Sequence, residues 1–276
     1  MRIRVVDAFT DKPFAGNPAG VCLLDTVGWP GDAWMRQVAA ELGHETAFAH
    51  PLPADAHADW ALRWFTPTAE SNLCGHATLA TAHALHADRA MPLTVRFASP
   101  SGILTARTRD DGTVTLDFPA ASPTATPTPD GLTEALGAEP DAVYRTGALG
   151  DLLTVVSDET TVRSLSPDFP AMAHLTQQHG IRGIIATAVA GARDCGYDFV
   201  SRYFAPAGGI PEDPVTGSAH TALAPYWSHR FGRDSLTGLQ ASARSGLVCT
   251  KIHGDRVHLT GHAVTVFDGI LQHTPG

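Results

Sequence analysis

The hydrophobic positions of this chain switch repeatedly between a period of two and a helical period, which predicts an α/β protein of many short elements. IRVVDAF alternates and is β-branched, and GVCLL follows a loop rich in Gly, Pro and Asn, so two strands are expected at the start. In PGDAWMRQVAAEL, Trp34, Val38 and Leu42 fall on one helical face, with Asp32 near the N-cap. ETAFAH and DWALRWFTP read as strands, and CGHATLATAHALH as a helix in which Leu79, Ala80 and His83 recur. LTVRFASPSGILTARTRDDGTVTLDFP reads as short strands turning at Asp111-Gly112.

Residues 121–129 (ASPTATPTP) are rich in Pro and Thr without periodicity and read as a linker. Beyond them the programme repeats. TEALGAEPD, SPDFPAMAHLTQQHG and GSAHTALAPYW read as helices; LLTVVS, GIIATAVA and YDFVSRYFAP read as strands. Strands on either side of a His253-Gly254-Asp255 turn close the chain.

The repetition has a residue-level core. Arg63-Trp64-Phe65-Thr66-Pro67 leads into Cys74-Gly75-His76-Ala77-Thr78, and Arg202-Tyr203-Phe204-Ala205-Pro206 leads into Thr216-Gly217-Ser218-Ala219-His220. Each half thus runs Arg-aromatic-Phe-x-Pro, a loop, then a glycine-led helix, as a duplicated domain would. The domains expected from the repeat are 1–120 and 130–263.

Composition narrows the function. The 276 residues are 43% hydrophobic and 17% charged, as in a globular protein, and no apolar run is long enough to span a bilayer. A net charge of -9, with Lys12 and Lys251 the only lysines, argues against nucleic acid and anionic membranes as partners. MRIRVVDAFT reads as a first strand rather than a leader, so a cytoplasmic protein is expected. Cys22, Cys74, Cys195 and Cys249 are scattered without CxxC spacing and read as buried small hydrophobes rather than disulfide or zinc ligands. There is no GxGxxG or Walker loop, so no cofactor is called for.

Helix N-termini carry unpaired N–H groups and partial positive charge, and a glycine there lets a ligand approach the backbone. Two such ends, at Gly75 and Gly217, would grip a carboxylate across a domain cleft, with His76 and Ser218 adding side-chain contacts. Asp213 precedes Pro214, which favours an extended backbone; its carboxylate either points to a ligand or serves as an ordinary helix-start acid. Glu45, between a helix and the strand TAFAH, is either a desolvated acid/base or an exposed loop residue.

The segments VDAFTDKPFAGNPAGVCLL, ETAF, RWFTPTAESNLCGHATLATAHAL, SRYFAPAGGIPEDPVTGSAHTALAPYW and AVTVF together resemble the PhzF-like family of phenazine biosynthesis, over essentially the whole chain. That resemblance implies the diaminopimelate-epimerase fold: two similar α/β domains, each a curled sheet around a central helix, with the active-site cleft between them and the last strand, about 264–276, joining the first domain. It implies a homodimer and a cofactor-independent isomerase acting on a small unsaturated cyclic amino acid. The substrate would resemble trans-2,3-dihydro-3-hydroxyanthranilate or an alkylproline precursor. Glu45 would shuttle the proton, His76 and Asp213 would contact and orient the substrate, and Gly75, Gly217 and Ser218 would bind its carboxylate. One departure is His44, where the family often has Ser or Thr before the glutamate.

Three other readings compete. Related racemases use two thiols, whereas here Cys74 is matched by Thr216, a poor base, which leaves a Cys74-dependent epimerase or dehydratase as the enzymatic alternative. His83 and His86 share a helix face but lack a third metal ligand. A small-molecule-binding protein with an inactive site is the non-enzymatic alternative.

Overall fold

In both halves of the chain, a strand ending in Arg-aromatic-Phe is followed by a short return strand and then by a buried helix. The computed structural model describes residues 1–25, 27–54, 56–88, 93–192 and 194–273. The chain divides into two units, Met1–Asp117 with Thr260–Gly276, and Phe118–Leu259.

The first unit contains β1 (Arg2–Ala8), β2 (Asn17–Leu23), α1 (Asp32–Leu42), β3 (Thr46–Pro51), β4 (Trp60–Phe65), β5 (Glu70–Ser71) and α2 (Gly75–Ala87). Then come β6 (Thr94–Ser99), β7 (Gly102–Thr108) and β8 (Val114–Pro119), the last running two residues past the unit's end at Asp117, and the chain's last strand, Ala263–Ile270, pairs antiparallel with β1. The pairings are β1–β2 antiparallel, β2–β3 parallel through α1, β3–β4 antiparallel, β4–β6 parallel through α2, and β6–β7–β8 antiparallel. Asp32 is the first helical residue of α1 rather than its cap, which is Gly31.

The second unit contains β9 (Thr124–Thr126), α3 (Leu132–Leu136), β10 (Ala142–Arg145), β11 (Leu152–Val155), α4 (Glu159–Ser164) and α5 (Phe169–Gln178). It continues with β12 (Ile184–Val189), β13 (Phe199–Ala205), β14 (Ile210–Asp213), α6 (Gly217–Phe231), β15 (Ser235–Gln240), β16 (Gly246–His253) and β17 (Arg256–Gly261). Its pairings repeat those of the first: β9–β10–β11 antiparallel, β11–β12 parallel through helices, β12–β13 antiparallel, and β13–β15 parallel through α6.

The register makes the repeat exact enough to match residues. Thr46 pairs with Phe65 as Ile184 pairs with Phe204, and Trp64 faces Ser71 as Tyr203 faces Asp213. Glu45 therefore corresponds to Gly183, His44 to Arg182, and Ser71 to Asp213.

Composition alone makes 121–129 a linker, but Thr124–Thr126 form an edge strand against β10, where Pro123 and Pro127 at its ends cost no ladder bonds. The segment is also tied to α6. Pro225 inside α6 has no N–H for the Thr221 carbonyl, and the Ala121 N–H takes it instead at 3.0 Å.

Residues of α2 from His76 to Ala82, with Ala84 and Leu85, are buried, so this helix is enclosed on nearly every side and packs on β1, β2, β3 and β7. Leu79 and Leu85 are fully buried, each contributing about 1.5–3 kcal/mol of hydrophobic stabilisation. In the second unit Ala219, Ala222, Leu223 and Trp227 of α6 pack on Leu153, Ile185, Phe199 and Tyr203. Met35, Val38 and Ala39 of α1 pack on Phe48 and Phe65, the opposite face of the first sheet. Among the described residues no helix is long and apolar enough to cross a membrane.

Candidate active site

Glu45 is placed by backbone rather than by its own packing. Gly43 ends α1 in the left-handed region, at φ 68°, and turns the chain through His44 into β3. The Glu45 carbonyl then accepts the Gly20 N–H at 3.0 Å. Residue 20 must be glycine for this approach, because a Cβ there would lie 2.4 Å from Thr46 Oγ1. The Glu45 side chain is 20% exposed, neither sealed off nor free in solvent.

Three side chains converge on it. The Ser71 hydroxyl donates to Glu45 Oε1. Glu45 Oε2 lies 4.0 Å from His76 Nε2, on the first turn of α2. Cys74, the N-cap of α2, has its Sγ 3.5 Å from His76 Nδ1 and 3.8 Å from Nε2. The Cys74 carbonyl accepts from the Thr78 hydroxyl at 2.6 Å, fixing the first turn. Glu45 and His76, predicted from sequence, are therefore neighbours, with Gly75 between His76 and Cys74 at the helix start.

In the second unit Asp213 ends β14, and its carboxylate accepts from the Thr216 hydroxyl, with Thr216 the N-cap of α6. The buried Gln240 holds the turn, its Oε1 accepting the Thr216 N–H at 2.8 Å and its Nε2 donating to the Asp213 carbonyl at 2.6 Å. Ser242 donates to the same carbonyl at 3.0 Å. Gly217 and Ser218 open α6, and Ser218 Oγ accepts from Arg182 Nη2 at 3.0 Å. Arg182 also clamps the buried Asp151, to which Tyr203 donates at 3.1 Å. Burial pushes the Asp151 carboxyl above the usual range, against the pull of Arg182, Tyr203 and the Gly183 N–H.

Sequence reading missed Ser71, Arg182, Asp151 and Gln240. The repeat contained a signal for two of them: counting back three from each N-cap pairs Ser71 with Asp213, and His44 with Glu45 parallels Arg182 with Gly183. Asp151 immediately precedes β11 and Gln240 ends β15, and the roles of both depend on strand register. Ala19 holds the place of Asp151 in the first unit, and there the Trp64 indole N–H is buried without a protein partner among the described residues. His83, read as half of a helix-face pair, instead lies with Nε2 3.2 Å from Thr265 Oγ1.

A phenazine biosynthesis-like (PhzC-PhzF) family model matches residues 6–269. The chain belongs to the PhzF family. An uncharacterised isomerase of Pseudomonas aeruginosa is 46% identical over 270 residues, covering 97% of each chain. The crystal structure of a PhzF family protein from Enterococcus faecalis superposes with a TM-score of 0.87 at 38% identity, covering 97% of each chain. A hydroxyproline epimerase from Agrobacterium vitis, with bound trans-4-hydroxy-L-proline, shares the fold at a TM-score of 0.62 and 14% identity, covering 98% of this chain and 91% of the epimerase. The protein is thus a PhzF-family isomerase of the diaminopimelate-epimerase fold.

Proposed function

We propose that this isomerase moves a proton within a small unsaturated cyclic amino acid, with Glu45 as the acid/base. The observation that carries the reading is the setting of the Glu45 carboxylate. One oxygen is held by Ser71, and the other is turned to His76 at 4.0 Å, beside the N-terminus of α2. A fixed carboxylate with one engaged oxygen presents the second for proton transfer.

In the proposed step Glu45 removes a proton from a carbon next to the conjugated system, the C–H electron pair delocalises, and the carboxylic acid formed returns the proton to another carbon of that system. No electrons are gained or lost. His76 steadies the charge that develops, Asp213 meets the substrate amine or hydroxyl, and Gly75, Gly217 and Ser218 receive its carboxylate. Candidate substrates are trans-2,3-dihydro-3-hydroxyanthranilate and unsaturated alkylproline precursors. By the same family reasoning, we infer a cytoplasmic homodimer, which light scattering of the purified chain tests for its oligomeric half.

Turnover of these two substrate classes by purified wild type, Glu45→Gln and Cys74→Ala tests the reading. Isomerisation by wild type and Cys74→Ala but not Glu45→Gln supports it. The 3.5 Å contact of Cys74 with His76 favours one second reading, a Cys74-dependent epimerase or dehydratase, which requires the reverse pattern.

A further inference from the structure

We propose that Glu45, Cys74 and His76 form a zinc-type divalent metal site, and that occupying it stops the proton transfer assigned above to Glu45. The binding half stands on the donor geometry alone; the inhibitory half rests on the proposed function.

The three donor atoms, one carboxylate oxygen, one sulfur and one ring nitrogen, all lie within 4.8 Å of one another. Individual separations are 3.5 and 3.8 Å from Cys74 Sγ to the two nitrogens of His76, and 4.0 Å from His76 Nε2 to Glu45 Oε2. Tetrahedral zinc, with bonds of about 2.0–2.3 Å, sets neighbouring donors roughly 3.3–3.7 Å apart. The widest separation exceeds this spacing by about 1 Å, so binding draws the three side chains together.

The chemistry of the set points to zinc. A thiolate with an imidazole selects zinc over the oxygen-seeking Mg²⁺ and Ca²⁺. Carboxylate and thiolate together carry a charge of about -2, which neutralises the ion, so a largely buried pocket is left with no net charge. Cys74 and His76 are both buried, at 4% and 9% exposure. A supporting contact already exists, because the Ser71 hydroxyl holds Glu45 Oε1 and leaves Oε2 for the metal.

On binding, the Cys74 thiol gives its proton to solvent as the sulfur–metal bond forms, and water leaves the ion as Glu45 and His76 enter; nothing is oxidised or reduced. Three protein ligands leave one position open to water or a substrate group. Glu45 then holds the metal through the oxygen that the proton transfer needs.

The test is a Co²⁺ titration of the full chain carrying Cys195→Ala and Cys249→Ala, which removes the two more accessible thiols. One equivalent should produce a thiolate-to-cobalt charge-transfer band and tetrahedral-type visible bands, both abolished by added Zn²⁺ and unaffected by Mg²⁺. Adding Cys74→Ser should remove the charge-transfer band, and Glu45→Gln, at a partly exposed side chain, should weaken affinity at least about tenfold. Circular dichroism of each variant verifies that it is folded. Absence of the band in the parent, or its persistence with Cys74→Ser, overturns the site. Solvent proton exchange into substrate should fall in proportion to zinc bound and recover with a chelator; undiminished exchange at full occupancy overturns the inhibition. Should no substrate exchange at all, the cobalt spectrum still decides the site independently of the proposed function.

Discussion

Ser71 donates its hydroxyl to Glu45 Oε1 across 26 residues of chain. This bond fixes which oxygen of the carboxylate faces His76, and Ser71 itself is held by two-residue pairing of β5 with the end of β4. The return strand is anchored by a clip used twice. Arg63 Nε and Nη2 meet both oxygens of Glu70 at 2.7 Å, as Arg202 meets Glu212 at 2.8 Å. Each guanidinium also lies over the Phe two residues on, at 4.9 Å for Phe65 and 5.0 Å for Phe204.

Ser71→Ala is expected to lower kcat about tenfold to a hundredfold with little change in KM, because a hydrogen bond to a charged group contributes about 1.5–3 kcal/mol. Ser71→Thr, which keeps the hydroxyl, should restore most of the rate. Equal losses in both variants would show that Ser71 acts only by packing.

The duplicated Arg-aromatic-Phe-x-Pro segments made the repeat readable, since strand, turn and helix start fall at matching spacing in both halves. Gly75, His76, Gly217 and Ser218 stood out as candidates because they open the two matched helices, whereas Glu45 and Asp213 were ambiguous as residues and were singled out only by the resemblance to the PhzF-like family. Strands β10, β14 and β15 and helix α4 were not, being short and set by pairing rather than by their own periodicity. Arg182 was hidden for another reason. A lone arginine before a strand has many uses, and only the fold brings it to Asp151 and Ser218.

Arg182→Met should destabilise the second unit by about 3 kcal/mol, since it leaves the fully buried Asp151 carboxylate without its cation. The cost stays at the lower end because the Arg182 side chain is 44% exposed. Urea unfolding measures it, and adding Asp151→Asn to Arg182→Met should recover part of the loss. No change in midpoint for the single variant would contradict the clamp.

His220 gives a pH signature. It is fully buried in α6, its Nδ1 bonds the Thr216 carbonyl at 2.8 Å, and burial lowers its pKa to about 4. The unfolded chain takes up this proton near pH 6.5 and the folded chain only near pH 4, so stability rises with pH between those values. The contribution is complete above about pH 6.5 and falls by roughly 3 kcal/mol as pH drops to 4. His83, also lowered by burial, acts in the same direction. Unfolding free energies measured from pH 7.5 to 4.5 should fall less steeply in His220→Leu than in wild type; parallel curves would show that His220 does not titrate on unfolding.

The central claim is that Glu45 carries the proton. Its most direct test is NMR in D2O of trans-2,3-dihydro-3-hydroxyanthranilate, or an unsaturated alkylproline precursor, with wild type, Glu45→Gln and Cys74→Ala. The account predicts deuterium incorporation or isomerisation with wild type and Cys74→Ala, and a loss of about 10²–10⁴-fold in Glu45→Gln, the usual contribution of a general acid/base. Full exchange by Glu45→Gln, with loss in Cys74→Ala, would contradict it and assign the base to the thiol.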